Sequence, residues 1–209
     1  MKIWWCRHLL LVLVLLTLAS CGPAGFLRRS GSPPRQSALA GKTENPPLSP
    51  ANVSATIRRK IHQELAAENY RSALNLLRRE IKKGVPEKAL ADEYGQAING
   101  LLREAKGYQQ KGLPEKAGAL FRSARERFPK TKEVAERISL APAEISARIE
   151  DCAEKLMERG LIAYRSGDLD GAIKAWKMIH AFSPRHQASL KALETAEIQR
   201  ENLEKASRQ

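Results

Sequence analysis

The sequence predicts an all-α fold of antiparallel helix hairpins, and three observations predict it. Runs rich in Ala, Leu, Glu, Lys and Arg carry apolar residues at helical spacing, with no period-2 strand among them. Gly and Pro punctuate the junctions, at Gly84-Val85-Pro86, Gly112-Leu113-Pro114, Pro129, Pro142, Gly167 and Pro184. A small residue is followed four positions later by a large aromatic one at Ala117/Phe121 and at Ala172/Trp176. Each pair lies on one helix face that a single helix cannot bury by itself. The 209 residues are 28% charged, 43% hydrophobic and only 5% aromatic, which suits one helical domain with a linker better than two compact domains. The formal charge of +13 favours anionic partners.

The chain opens with an address. Lys2 and Arg7 form a positive n-region, and Leu9 to Leu18 is an apolar run interrupted only by Thr17. That run is shorter than the ~20 residues a spanning helix needs. It ends in Leu18-Ala19-Ser20-Cys21-Gly22, which resembles the bacterial lipobox. The resemblance implies a lipoprotein signal peptide over 1–20, lipid on Cys21 and a mature charge of +11 once Lys2 and Arg7 are lost. An ordinary signal peptide with an incidental cysteine, or an uncleaved anchor, is the alternative reading. Several acyl chains, at roughly 0.8 kcal/mol per buried CH₂, make attachment effectively permanent. Gly22 stands where an inner-membrane retention signal of the enteric type has Asp, so the resemblance implies the outer membrane. Removal of Cys6 and lipidation of Cys21 leave Cys152 alone, with no intramolecular disulfide. Ile145, Ile149, Cys152 and Leu156 share one apolar stripe, so Cys152 reads as a buried structural cysteine.

Residues 21–54 read as a lipidated, disordered tether. Six of the eleven prolines fall there, with Gly and Ser and no apolar period. Arg28, Arg29, Arg35 and Lys42 face one acid, Glu44, and read either as a solvated linker or as a contact to anionic head groups or cell wall.

From residue 55 to 206 the pattern is helical. Helices are predicted near 53–67, 70–83, 87–111, 115–127, 131–139, 143–166, 169–181 and 187–206. They form hairpins at about 55–83, 87–127 and 143–181. Pro86 and Pro142 suit a first helical turn, and Gly112 and Gly167 suit a C-terminal cap with positive φ. The segment 187–206, with Leu190, Leu193 and Leu203 among charges, reads as a capping helix with a solvated outer face, or as a dimerising one.

Two stretches resemble the tetratricopeptide repeat (TPR). One is Leu101-x₂-Glu104-Ala105-x₂-Tyr108, Gly112, Ala117-x₃-Phe121, Ala124 and Pro129. The other is Leu156-x₂-Arg159-Gly160-x₂-Ala163, Gly167, Ala172-x₃-Trp176 and Pro184. A third, degenerate copy centres on Tyr70, Ala73 and Leu77, without the turn glycine or the closing proline. Glu104 and Arg159 replace apolar residues, and the copies lie 44 and 55 residues apart rather than 34. The resemblance therefore implies hairpins stacked as an irregular TPR-like superhelix. It also implies close helix approach at residues 105, 117, 160 and 172, with the following aromatic filling space toward the neighbouring hairpin. Repeats of this family bind a peptide or helix in a concave groove contacted by the first helix of each hairpin. By position, the middle copy presents Asn99, Leu102, Lys106, Gln109 and Gln110, and the last presents Glu154, Met157, Leu161, Tyr164 and Arg165. Leu102 and Leu161 read equally as core.

Little in the sequence points to catalysis. No G-x-S-x-G, P-loop or H-E-x-x-H occurs, and His180 and His186 straddle Pro184 at a spacing unsuited to a metal within one helix. The expectation is no enzyme, no metal and no cofactor. Basic runs at Arg58-Arg59-Lys60, Arg78-Arg79 and Lys82-Lys83 lack aromatic interleaving, and export would remove nucleic acid as a partner. The expected function is a lipid-anchored interaction module, a scaffold or assembly factor in the bacterial cell envelope. It would face the periplasm and bind a protein or peptide. The alternative is a binder of cell wall, anionic glycan or lipid, with the helices as a spacer.

Overall fold

A computed structural model describes residues 53–209. The expected signal peptide, Cys21 and the tether up to residue 52 lie outside the described residues. The first helix, α1 (Ala55–Ala66), begins at Ser54, whose hydroxyl accepts the Ile57 N–H at 3.3 Å as an N-cap. There follow α2 (Tyr70–Lys82), α3 (Ala91–Gln110), α4 (Pro114–Glu126), α5 (Lys132–Ala135), α6 (Pro142–Arg165), α7 (Leu169–His180) and α8 (Gln187–Ala206). The described residues are all-α, with no strand among them.

Consecutive long helices pack on one another, in the order α1, α2, α3, α4, α6, α7, α8. One continuous core runs through them, from Ile61 and Leu77 through Ile98, Leu101 and Phe121 to Leu156, Trp176 and Ile179. Burying side chains of this size contributes about 1.5–3 kcal/mol each.

Three hairpin turns have one geometry. After α3, Gly112 N–H bonds the Gln109 carbonyl (3.0 Å) and Leu113 N–H bonds Tyr108 (3.0 Å). After α6, Gly167 bonds Tyr164 (3.1 Å) and Asp168 bonds Ala163 (2.9 Å). These are Schellman closures, with φ of +68° and +84° at the two glycines. The turn after α1 repeats the pattern: Glu68 bonds Leu65 (3.1 Å) and Asn69 bonds Glu64 (2.8 Å). There the left-handed residue is Glu68, at φ +58°. The small residues Ala73, Ala117 and Ala172 each come five positions after their turn residue, and Leu77, Phe121 and Trp176 each come nine after it. All six side chains are buried.

The structure departs from the sequence reading in three places. The helix expected over 87–111 begins as a separate 3₁₀ turn, Glu87–Leu90, because the chain bends at the fully buried Leu90 before α3 starts. The helix expected over 131–139 stops at Ala135. Asn99 of α3 takes over the backbone beyond it, donating to the Arg137 carbonyl and accepting the Ser139 N–H, both at 2.8 Å. Finally, Trp176 fills space inside its own hairpin. A methyl group added at Gly160 of α6 would stand 2.2 Å from the Trp176 indole nitrogen, which donates to the Met157 carbonyl at 3.4 Å. Rings that do reach between hairpins are Tyr70 of α2, which lies on Gly100 of α3, and Phe182, in the loop after α7, which lies on Gly118 of α4.

Candidate functional site

The first helices of the second and third hairpins, α3 and α6, flank a groove of about 620 Å³. Its floor is apolar: Leu102 and Phe121 are buried there and Leu140 is half-buried. Its rim is cationic. Arg103 and Lys106 come from α3, and Arg148 and Lys155 come from α6.

The one acid of the lining, Asp151, is already engaged, by Gln109 Nε2 at 2.8 Å and Lys155 Nζ at 2.9 Å. Among the described residues no carboxylate pairs with Lys106 or Arg148. Arg103 lies over the Tyr70 ring, 5.9 Å from its centroid, and donates to the Tyr70 hydroxyl at 3.4 Å. The groove thus presents unpaired positive charge above an apolar strip. It suits an extended or helical segment that carries both apolar side chains and carboxylates.

The residues expected to contact a partner divide into two groups. Lys106 and Gln109 line the groove with Leu102 and Gln110, although Gln109 also braces α3 against α6 through Asp151. Asn99 lines a smaller pocket of about 340 Å³ next to Arg137, where its amide is spent on the 137–139 backbone. Glu154, Met157, Leu161 and Arg165 all lie outside the groove lining. Met157 is half-buried at the core edge beneath Trp176, and Tyr164 donates to Gln199 of α8. Leu102 is core at 4% exposure, whereas Leu161 stands 39% exposed.

The reason lies in the length of α6. Arg159 approaches the Gly112 carbonyl (3.4 Å) and Glu115 (3.9 Å), so the end of α3 stands level with Arg159. The last six residues of α6, at 1.5 Å each, run on about 9 Å past it. Counting positions back from Gly167 therefore puts Leu161, Tyr164 and Arg165 on this overhang, while Glu154 and Met157 lie before it and still outside the groove lining. The groove instead uses Arg148, Asp151 and Lys155, whose spacing of three and four on one helix face was visible in the sequence.

Cys152 is fully buried, with Gln109 Nε2 at 3.8 Å from its sulfur. Burial, and secondarily Asp151, push its thiol up to about 11, so at neutral pH it is a protonated thiol and a poor nucleophile. His180 and His186 converge on Ser189 rather than on a metal-ligand set. His180 Nε2 lies 3.0 Å from the Ser189 hydroxyl, and His186 Nδ1 accepts the Ser189 N–H at 3.1 Å as the cap of α8. No group of three or more His, Cys, Asp or Glu among the described residues is arranged to hold a metal ion.

No family model, curated protein or solved structure matches this chain.

Proposed function

We propose that the helical domain is a non-catalytic, TPR-like binding module, held at the cell envelope by lipid on Cys21, and that it works as a scaffold or assembly factor. A segment of a protein partner lies in the groove between α3 and α6. The observation that carries this reading is the groove itself, an apolar floor under cations that lack carboxylate partners among the described residues. Three turns of one hydrogen-bond pattern, each followed at fixed distances by a small and then a large buried residue, support the repeat reading. The site takes a segment with carboxylates flanking apolar side chains, and Lys106 and Arg148 pair with those carboxylates across the strip.

The test is a photo-reactive side chain at Lys106 or at Arg165 in the full chain, cross-linked in cells. A defined adduct is expected from position 106, and it disappears when Lys106→Glu and Arg148→Glu are introduced with the reactive group moved to Gln110. An adduct from position 165 alone, insensitive to those charge changes, sinks the groove. Metabolic lipid labelling tests the anchor separately: Cys21→Ser abolishes it, and label that persists in that variant refutes lipidation at Cys21.

A further inference from the structure

The hairpins fold the basic runs of the sequence onto one end of the domain. The start of α1 is pinned there by Arg58, which donates to the Ala89 carbonyl (3.2 Å) and pairs with Glu93 (3.4 Å). The start of α3 meets the end of α4 where the Tyr94 hydroxyl donates to the Arg127 carbonyl (2.8 Å). The end of α2 is close by. Burial and then Glu87 push the Tyr94 phenol up, while Arg78 and Arg127 oppose them. Glu87 in turn accepts the N–H groups of Lys130 and Thr131, at 3.1 and 2.8 Å.

Most acids of this end are already engaged within the protein. Glu80 pairs with Lys83 (2.7 Å), Glu93 with Arg58 and His62, Asp92 with Arg137, and Glu87 holds backbone. Arg59, Lys60, Arg78, Arg79, Lys82 and Lys130 are all exposed, and among the described residues none has a carboxylate partner. Glu133 remains as an exposed acid nearby that also lacks a cationic partner. Helix stability does not account for the whole cluster. Lys82 suits the C-terminal end of α2. Arg59 and Lys60 instead lie past the first turn of α1 and far from its C-terminal end, where the helix dipole gives no reason for positive charge.

The chain enters the domain at this same end, through Ser54. A membrane anchor anywhere in residues 1–52 therefore connects to the cationic end and not to the end bearing Gly112 and Gly167. We infer that this end is a docking surface for the anionic head groups of the bilayer to which the chain is attached. It would stand the domain on the membrane with the groove between α3 and α6 exposed along its side. The inference rests on the anchor reading only for its choice of a bilayer. Its geometry is independent of Cys21.

Vesicle flotation tests it, using the full chain with Cys21→Ser and vesicles of phosphatidylcholine with or without phosphatidylglycerol. Preferential flotation with the anionic vesicles is expected, weakening as salt is added. Arg59→Glu, Arg78→Glu and Lys82→Glu together are expected to remove that preference, at roughly fivefold per cation lost and on the order of 100-fold for the three. Lys111→Glu, Lys116→Glu and Arg165→Glu, at the other end, are expected to leave most of it, with helical content by circular dichroism unchanged in both variants. Equal losses in the two variants would mean that net charge alone acts, and would overturn the docking surface. So would stronger displacement by inorganic phosphate than by chloride at equal ionic strength, which marks a discrete phosphate site, or tighter binding to a single-stranded oligonucleotide than to the vesicles. If the parent chain carries no lipid while the anionic preference stands, the anchor reading fails and the surface survives.

Discussion

The first and last hairpins solve one packing problem with different residues. In α6–α7 the close approach comes from Gly160, seven residues before the turn glycine, and the space it leaves is filled by Trp176. In α1–α2 the residue seven before the turn is Ile61, and the counterpart of Trp176 is Leu77. A very small and a very large side chain have been exchanged for two of middle size, and all four are buried. The turns differ in the same way: Gly167 becomes Glu68, with the hydrogen bonds retained. What defines this hairpin is therefore the turn register and the summed volume at matched positions, which cores tolerate being redistributed. No single residue type is required.

The largest test acts on the shared volume. Trp176→Ala is expected to cost roughly 3–5 kcal/mol, because Gly160 offers nothing to collapse into the hole. Leu77→Ala, at the equivalent position, is expected to cost about 2–5 kcal/mol and to sit at the low end, since Ile61 can relax toward it. Urea unfolding of the two variants checks the ranking. An unchanged midpoint for Trp176→Ala would mean the indole does not hold the hairpin, and the comparison would fall with it.

The same contrast explains what the sequence made visible. Gly112 and Gly167 advertise a left-handed cap because most side chains avoid positive φ. Glu68 marks no such cap, so the break between residues 67 and 70 was legible while its left-handed geometry was not. The early end of α5 was hidden for another reason. The groups that stop it belong to Asn99, 38 residues earlier in the chain, and local sequence carries no trace of so distant a hydrogen bond. The groove was half legible. Lys106 and Gln109 follow from counting back from Gly112 along α3. On α6 the same count puts Leu161 and Arg165 on the overhang and Glu154 and Met157 off the groove face, while Arg148 and Lys155 take the site. Phe182 against Gly118 went unseen because a loop aromatic after a helix has no period to reveal its target.

The smallest effects come from exchanging the turn residues. A side chain held left-handed costs about 1–2 kcal/mol, and replacing it with glycine gives back up to about 1 kcal/mol through the freer unfolded chain. Glu68→Gly is therefore expected to stabilise the protein by about 0.5–1 kcal/mol net of that entropy, and Gly167→Glu to destabilise it by a similar amount. At a chain of this size each kcal/mol moves Tm by about 2–4 °C, so the two variants should separate in a thermal melt. Glu68→Asn resolves the cause. Asn relieves part of the left-handed strain without glycine's entropy, so it should recover much of the gain if backbone strain is what distinguishes the first turn. Should Glu68→Gly destabilise instead, the Glu68 side chain contributes a contact that outweighs its strain. The first hairpin would then be a specialised element of this chain and no longer a plainer copy of the last.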